Sequence, residues 1–332
     1  MQIDVAIPPR IGVRPVHNSP AGAAAGYTGR SVVAVGTFDG VHIGHQAILA
    51  RGRAIADRTN RTLIALTFHP HPKSVVSPDR APLLLTEPDE KAALLYAYGA
   101  DHVVQLEFNS ALAATKAGDF LNRVILDGLR AETVVFGDDF RLGHGREGTP
   151  DFVSDWGRAS GVQVEMVKQV TAISIGRRVS STLIRSLIKG GEFSDAVDLL
   201  GHAYPVSGQV VKGEGRGRKI GYPTWNIALS DIKLAPPVGI YAGWAGRATP
   251  RPAMSYYGSN PTFGGYQKRL EANLIDAGRD AAPEVEETIW LGAYVREEIR
   301  FEGADALVRQ LAEDERIVRD MLSMPVHDET AS

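Results

Sequence analysis

Four of the nine histidines in this 332-residue sequence fall between positions 42 and 71. Two lie in Gly36-Thr37-Phe38-Asp39-Gly40-Val41-His42-Ile43-Gly44-His45 and two in Phe68-His69-Pro70-His71-Pro72. His-x-x-His and His-x-His are both ligand spacings for a transition metal. A metal-dependent hydrolase built on His42, His45, His69 and His71 is therefore one reading. The other starts from position, because an apolar strand runs into the first segment and a helix leaves it. The histidines then sit at the carboxyl end of a sheet strand, where open α/β sheets bind ligands. They also sit at a helix N-terminus, whose unpaired N–H groups and partial positive charge suit phosphate. Gly40 and Gly44 would let phosphate approach the backbone closely, and His42 and His45 would donate hydrogen bonds to it as negative charge builds.

Three later segments carry further chemistry. Val135-Phe136-Gly137-Asp138-Asp139-Phe140-Arg141-Leu142-Gly143 leads from a strand into a glycine-containing loop. Val179-Ser180-Ser181-Thr182-Leu183-Ile184-Arg185 opens a helix with hydroxyls and presents Arg185 one turn later, an anion cradle that doubles as an N-cap. Gly213-Glu214-Gly215-Arg216-Gly217-Arg218-Lys219-Ile220-Gly221-Tyr222-Pro223-Thr224-Trp225-Asn226 allows a backbone nest for phosphate. Thr224 and Asn226 alternate onto one face of a strand as two neutral oxygen ligands for Mg²⁺. The G-x-x-x-x-G-K-[ST] loop and the protein-kinase signature set are both absent from the sequence.

The elements that must position these residues follow two different patterns. Strand-like runs at Val32–Phe38, Thr62–Phe68, His102–Phe108, Glu132–Phe136 and Val162–Val167 alternate with helical stretches near 45–58, 89–98, 117–129 and 151–160. That alternation predicts βαβ units around a mainly parallel sheet. Thr86-Glu87-Pro88-Asp89 reads as a capping signal, and Pro20–Gly26 as a loop. After a short helical piece at Phe193–Leu200, strands at Val206–Val211, Ile240–Ala245, Leu270–Ile275 and Thr288–Phe301 are separated by glycine and proline. This predicts a small antiparallel sheet or barrel. A closing helix over Ala304–Met324 places Leu307, Leu311, Val318 and Leu322 on one packing face.

Length and composition bound the answer. The chain is long enough for two domains, and 44% apolar with 23% charged residues is ordinary for a soluble globular protein. A net charge of −3 offers no basic field for nucleic acid or an anionic membrane. The absence of cysteine excludes a disulfide framework, a thiolate metal site and a cysteine nucleophile. No apolar run approaches the roughly 20 residues that span a bilayer, and Met1–Pro15 lacks the pattern of a secretory signal. The expectation is a cytoplasmic protein with small-molecule partners, no nucleic acid and no membrane.

The order Gly-Thr-Phe-Asp-Gly-Val-His-Ile-Gly-His, Thr-Phe-His-Pro-His-Pro, Ser-Ser-Thr-x-Ile-Arg resembles the adenylyltransferase half of bacterial bifunctional FAD synthetases, in the His-x-Gly-His nucleotidyltransferase superfamily. Gly213–Asn226, Gly239–Gly243 and Gly258-Ser259-Asn260-Pro261-Thr262-Phe263-Gly264 resemble, in that order, the motifs of riboflavin kinase. The resemblance implies a Rossmann-like nucleotidyltransferase domain with a parallel sheet over 1–189 and a linker helix over 190–203. A small antiparallel β-barrel with a terminal helix, the kinase domain, would occupy 204–325, and 326–332 a tail. It implies ATP-dependent phosphorylation of riboflavin to FMN in the second domain. Adenylylation of FMN to FAD, with release of pyrophosphate, would follow in the first.

The implied ATP site of the first domain is Gly36, Phe38, Asp39, Gly40 and Gly44 with His42 and His45, closed by Ser181, Thr182 and Arg185. Flavin would meet Phe68, Pro70, His71, Pro72, Asp139 and Arg178. In the second domain ATP would meet Gly213, Gly215, Gly217 and Pro223, with Mg²⁺ on Thr224 and Asn226 and Glu271 as the catalytic carboxylate. A monomer or weak homo-oligomer is expected. Leu142 stands where the family often has an aromatic residue. Trp225 replaces an alanine, which sets a bulky indole beside the metal ligands. Gly278–Pro283 stands in place of an Asp-Leu-Tyr-Gly segment. An adenylyltransferase with a degenerate flavin-binding second domain, the metal-dependent hydrolase and a non-catalytic flavin-responsive regulator are the alternatives.

Overall fold

The computed structural model describes residues 5–9, 14–172, 176–213, 215–259, 268–276 and 283–324. The chain groups into two units, Ile11–Ser181 and Met1–Arg10 with Thr182–Ser332. The two groups meet at Ser181, the first residue of the helix Ser181–Gly190.

In the first unit, β1 (Val16–His17), β2 (Ser31–Val35), β3 (Thr62–His69), β4 (His102–Glu107), β5 (Ala131–Gly137) and β6 (Gln163–Val167) form one sheet. Its order is β1-β4-β3-β2-β5-β6 and every neighbouring pair is parallel. All of β2 is buried, as expected of a strand covered on both faces. One face carries Val33, Ile64, Leu66 and Val134, packed with Phe120, Leu121 and Ile125. On the other, Gly52 of the helix Ile43–Thr59 lies against Leu63, where a β-carbon would come within 2.7 Å. From β2 the chain winds outward through β3 to β4, then returns to β2's other side for β5 and β6. The carboxyl ends of β2 and β5 thus flank a topological switch point, the usual ligand crevice of a Rossmann-like sheet.

Local chemistry corrects two expectations here. Pro20–Gly26 is no simple loop: Pro20–Ala24 is a short helix, with Ser19 Oγ accepting from Gly22 N at 3.1 Å and Pro20 in its first turn. The helix Pro88–Ala97 is capped by Glu87, boxed with Glu90, so Thr86 is released for other work. Two short strands, β7 (Thr171–Ala172) and β8 (Arg177–Arg178), pair antiparallel and had no signal in the sequence.

In the second unit, β9 (Tyr204–Gln209), β10 (Thr224–Ala228), β11 (Gly239–Ala245), β12 (Arg251–Ser259), β13 (Lys268–Leu274) and β14 (Glu286–Arg296) make an antiparallel sheet ordered β10-β13-β12-β11-β14-β9. A bridge between Val210 and Ile227 joins its two edges, giving a nearly closed barrel. The helix Ala304–Met321 covers one side, with Val318 and Leu311 packed on Ile240, Ala242, Met254 and Ile275. Two arginine–carboxylate pairs fasten it: Arg296 Nε to Asp314 Oδ1 at 2.7 Å, and Arg319 Nη1 to Asp276 Oδ2 at 2.9 Å. The helix Phe193–Leu200 belongs to this unit through Phe193, which meets Tyr204 and Tyr241 edge to face.

Candidate active sites

Between β2 and the helix Ile43–Thr59 the backbone turns sharply. Phe38 (φ 50°), Gly40 (φ 84°) and Val41 (φ 37°) all have positive φ. Only Gly40 adopts that region without steric cost, and the two others are held there by fully buried side chains. Asp39 is 3% exposed and acts as the clamp. Its Oδ1 accepts from Leu85 N at 2.9 Å, Thr86 N at 3.0 Å and Thr86 Oγ1 at 3.4 Å. Thr86 Oγ1 in turn accepts from Gly40 N at 2.9 Å, and Ser181 Oγ donates to Asp39 O at 2.8 Å. Gly36 and Gly44 owe their identity to rings, since a β-carbon would lie 3.0 Å from Phe38 and 3.2 Å from His42, respectively.

His42 is the N-cap of the helix, and its Nδ1 accepts from His45 N at 3.4 Å, which leaves the ring proton on Nε2. The two imidazoles stack face to face, 3.6 Å apart and 15° from parallel, with Phe38 edge-on to His45. His45 Nδ1 is sealed from solvent with no hydrogen-bond partner. Burial, then the neighbouring His42, then Lys91 hold the His45 pKa well below the usual histidine range. Stacked rings send their in-plane lone pairs along parallel planes, which do not meet at one ion. Among the described residues no three histidine, aspartate or glutamate side chains are grouped to hold a metal.

Phe68 and His71 each have structural partners of their own. The Phe68 ring is 7% exposed and packs edge-on against Phe108, with Phe120 beyond it, so the opening onto solvent falls to Pro70, His71 and Pro72. His71 caps the helix Pro72–Val76, its Nδ1 accepting from Lys73 N at 3.1 Å. Asp139 is exposed in the turn after β5, whose closure is the bond from Phe140 N to Gly137 O at 3.0 Å. Leu142 is buried in the first unit's core cluster. Arg178 is exposed on β8. The first unit thus brings the histidine turn, the Pro70–Pro72 loop and Asp139 to the carboxyl end of its parallel sheet, with Ser181 bonded to the turn. Thr182 and Arg185 group with the second unit.

The sequence reading missed Lys91. Its Nζ donates to Phe68 O at 2.9 Å and lies 3.5 Å from Thr37 O. Burial pulls its pKa down to about 8, opposed by Asp39. The signal was present: Lys91 occupies the buried stripe that continues through Leu94 and Leu95.

In the second unit, Asn226 of β10 sits directly opposite Glu271 of β13, and Thr224 opposite Asn273. Thr224 Oγ1 donates to Glu271 Oε2 at 3.2 Å, and Asn226 Nδ2 lies 3.4 Å from Thr224 Oγ1. Two neutral oxygens beside a carboxylate are a hard-donor set that fits Mg²⁺. The preceding loop is built around this face. A β-carbon on Gly213 would meet Asn226 Nδ2 at 2.6 Å, and one on Gly217 would meet Tyr222 O at 2.1 Å. Tyr222 N donates to Gly217 O at 2.8 Å, while Gly215 takes φ 70° in open space. Asn273 Nδ2 holds Pro223 O at 2.8 Å, a support the sequence reading missed.

Trp225 corrects an expectation. Strand alternation sends it to the face opposite Thr224 and Asn226, where it pairs with Ala272 and lies under the Arg251 guanidinium, 5.8 Å from the ring centre. The indole therefore does not stand beside the metal ligands. Tyr256 lies directly opposite Glu271 on its other side and donates to Glu298 at 2.5 Å. The Asn260–Gly264 motif and Gly278–Ala282 lie outside the described residues.

Residues 25–183 match the family model of FAD synthetase, and residues 200–322 that of riboflavin kinase. The chain is 32% identical over 316 residues to the bifunctional riboflavin kinase/FMN adenylyltransferase of Escherichia coli (strain K12), covering 94% of this chain and 98% of that protein. It is 32% identical over 296 residues to the enzyme of the same name from Bacillus subtilis (strain 168), covering 86% and 91%. The Pseudomonas fluorescens protein of that name is 33% identical over 305 residues, covering 89% and 94%. A crystal structure from Streptococcus pneumoniae, described as a macrolide-efflux protein, superposes with a TM-score of 0.77 at 30% identity, covering 92% of this chain and 98% of that one. Among the described residues no helix is long and apolar enough to cross a membrane. Two matched domains in this order, on a parallel sheet followed by a nearly closed barrel, identify the chain as a member of the bifunctional riboflavin kinase/FMN adenylyltransferase family.

Proposed function

We propose that this protein makes FAD from riboflavin in two ATP-consuming steps, one in each unit. The observation that carries the first site is the stacked His42–His45 pair at a helix N-terminus, with a buried, unpartnered nitrogen on His45. The helix end favours the charge of a phosphate group bound beside the pair. A phosphate oxygen of FMN attacks the α-phosphorus of ATP in line, the α–β bridging bond breaks, and pyrophosphate departs. His42 Nε2–H and the neutral His45 imidazole hydrogen-bond the oxygens on which charge accumulates. Ser181, bonded to the histidine turn, stands beside the phosphates. Pro70, His71, Pro72, Asp139 and Arg178 border the flavin, and Gly36, Phe38, Asp39, Gly40 and Gly44 shape the nucleotide pocket.

In the second unit, Glu271 accepts the proton of the riboflavin 5′-hydroxyl as that oxygen attacks the γ-phosphorus, and ADP leaves. Thr224 and Asn226 would hold Mg²⁺, which neutralises phosphate charge when bound. Gly213, Gly215, Gly217 and Pro223 follow the nucleotide. The setting we propose is the cytoplasm, as a monomer or weak homo-oligomer with small molecules as partners and neither nucleic acid nor membrane.

Chromatography of reactions containing Mg·ATP tests this. Riboflavin should give FMN and then FAD, and FMN should give FAD with equimolar pyrophosphate. FAD from FMN without any phosphorylation of riboflavin would mean that the barrel has lost its activity.

A further inference from the structure

Lys91 is 6% exposed and makes no ion pair among the described residues, although a buried ammonium without a carboxylate partner is costly. Its two hydrogen-bond partners are the carbonyls of Thr37 and Phe68. Thr37 begins the turn that carries Asp39, His42 and His45, while Phe68 precedes the His69–Pro72 loop on the neighbouring strand β3. Thr67 Oγ1 also reaches Thr37 O, at 3.0 Å, so the two strand ends already have a neutral tie. A lysine adds what the threonine does not, a positive charge at the mouth of the sheet. The ionisable groups facing it are Asp39 from the turn, His45 from the helix Ile43–Thr59 and His69 from the end of β3. On its own helix, Glu90 is engaged with the Glu87 backbone.

We propose that Lys91 is a positioning residue for FMN adenylylation, its buried ammonium fixing the histidine turn against the end of β3 and so setting the distance between the phosphate-binding and flavin-bordering loops. The inference rests on the adenylyltransferase reading of the first site. It makes charge essential at this position, beyond the filling of space. A merely structural Lys91 would tolerate a neutral side chain of equal length.

The sequence has no cysteine, which permits a clean chemical test. A Lys91→Met protein and a Lys91→Cys protein, the latter before and after alkylation with 2-bromoethylamine, are assayed for FAD formation from FMN and for FMN formation from riboflavin. Alkylation installs an ammonium on a stem close to the native length and nowhere else on a sulfur nucleophile of cysteine. The expected result is a loss on the order of 100-fold in kcat for FAD formation in both variants, with KM for FMN changed less than about threefold. Aminoethylation should recover about tenfold or more of that loss, and riboflavin phosphorylation should stay within about twofold throughout. The inference is overturned if Lys91→Met adenylylates FMN within about threefold of the parent, or if alkylation complete by mass restores nothing while riboflavin phosphorylation is intact. Should Lys91→Met fail to fold, as loss of both activities would reveal, the comparison of alkylated with unalkylated Lys91→Cys decides by the same criterion. A parent protein that makes no FAD from FMN refutes the reading of the site itself, and the inference falls with it.

Discussion

Replacing Asp39 separates the two things its carboxylate does. Oδ1 accepts two backbone N–H groups and one hydroxyl, all buried, from the Leu85–Thr86 segment. Asp39→Ala strands these donors and removes the anion nearest Lys91, which together should cost about 3–5 kcal/mol. Asp39→Asn keeps an acceptor oxygen in the same place and forfeits only the charge assistance, about 1–2 kcal/mol. Because the chain has two units, a single unfolding midpoint would blur the comparison, so amide hydrogen exchange at Leu85 and Thr86 is the appropriate assay. In Asp39→Ala these amides should exchange at least about 100-fold faster than in the parent, and in Asp39→Asn within about tenfold of it. FAD formation should follow the same ranking, since Asp39 also offers its carbonyl to Ser181. Equal acceleration in both variants would refute the acceptor argument and leave charge as the whole effect.

Gly217→Ala should abolish most riboflavin phosphorylation, because the new β-carbon would fall 2.1 Å from the Tyr222 carbonyl and force apart the turn that leads into Thr224. Gly215→Ala has open space within the protein and only its φ of 70° to overcome, about 1 kcal/mol, so its kinase rate should fall less than that of Gly217→Ala. Assaying the two side by side checks this, and equal loss would count against it. The parent should also lose stability as acid is added below about pH 6.5, since the unfolded chain takes up a proton there that buried, neutral His45 refuses. Thermal melts at pH 7 and pH 5 should therefore show a smaller drop for His45→Gln than for the parent, and identical drops would show that His45 carries no such linkage.

How far the sequence could be read depended on where each signal resides. The alternation of β2 to β6 with helices was legible because fully buried parallel strands are continuous apolar runs. The histidine turn was legible because glycines and histidines flank a strand end and a helix start. β12 escaped notice because Pro252 breaks its apolar pattern and Ser255, Tyr256 and Tyr257 read as a polar stretch, whereas in the barrel they are paired on both sides. Phe68 could not be oriented from composition, since its ring turns toward Phe108 and Phe120, residues far along the chain. Thr86 reads locally as a helix cap, whereas the tertiary fold engages its hydroxyl with Asp39 and Gly40. The indole of Trp225 looked obstructive only while its face of β10 was unknown. Trp225 aside, whose side of β10 follows from the alternation that puts Thr224 and Asn226 together, these misses are long-range preferences that local sequence does not encode.

The two-site account stands or falls on a crossed substitution experiment. His45→Ala and Glu271→Ala proteins, both shown to be folded, are each given riboflavin or FMN with Mg·ATP. The account predicts that His45→Ala loses FAD formation by roughly 10²–10³-fold and still phosphorylates riboflavin. Glu271→Ala should lose riboflavin phosphorylation by roughly 10²–10⁴-fold and still adenylylate FMN. Loss of both activities in both folded proteins would contradict it.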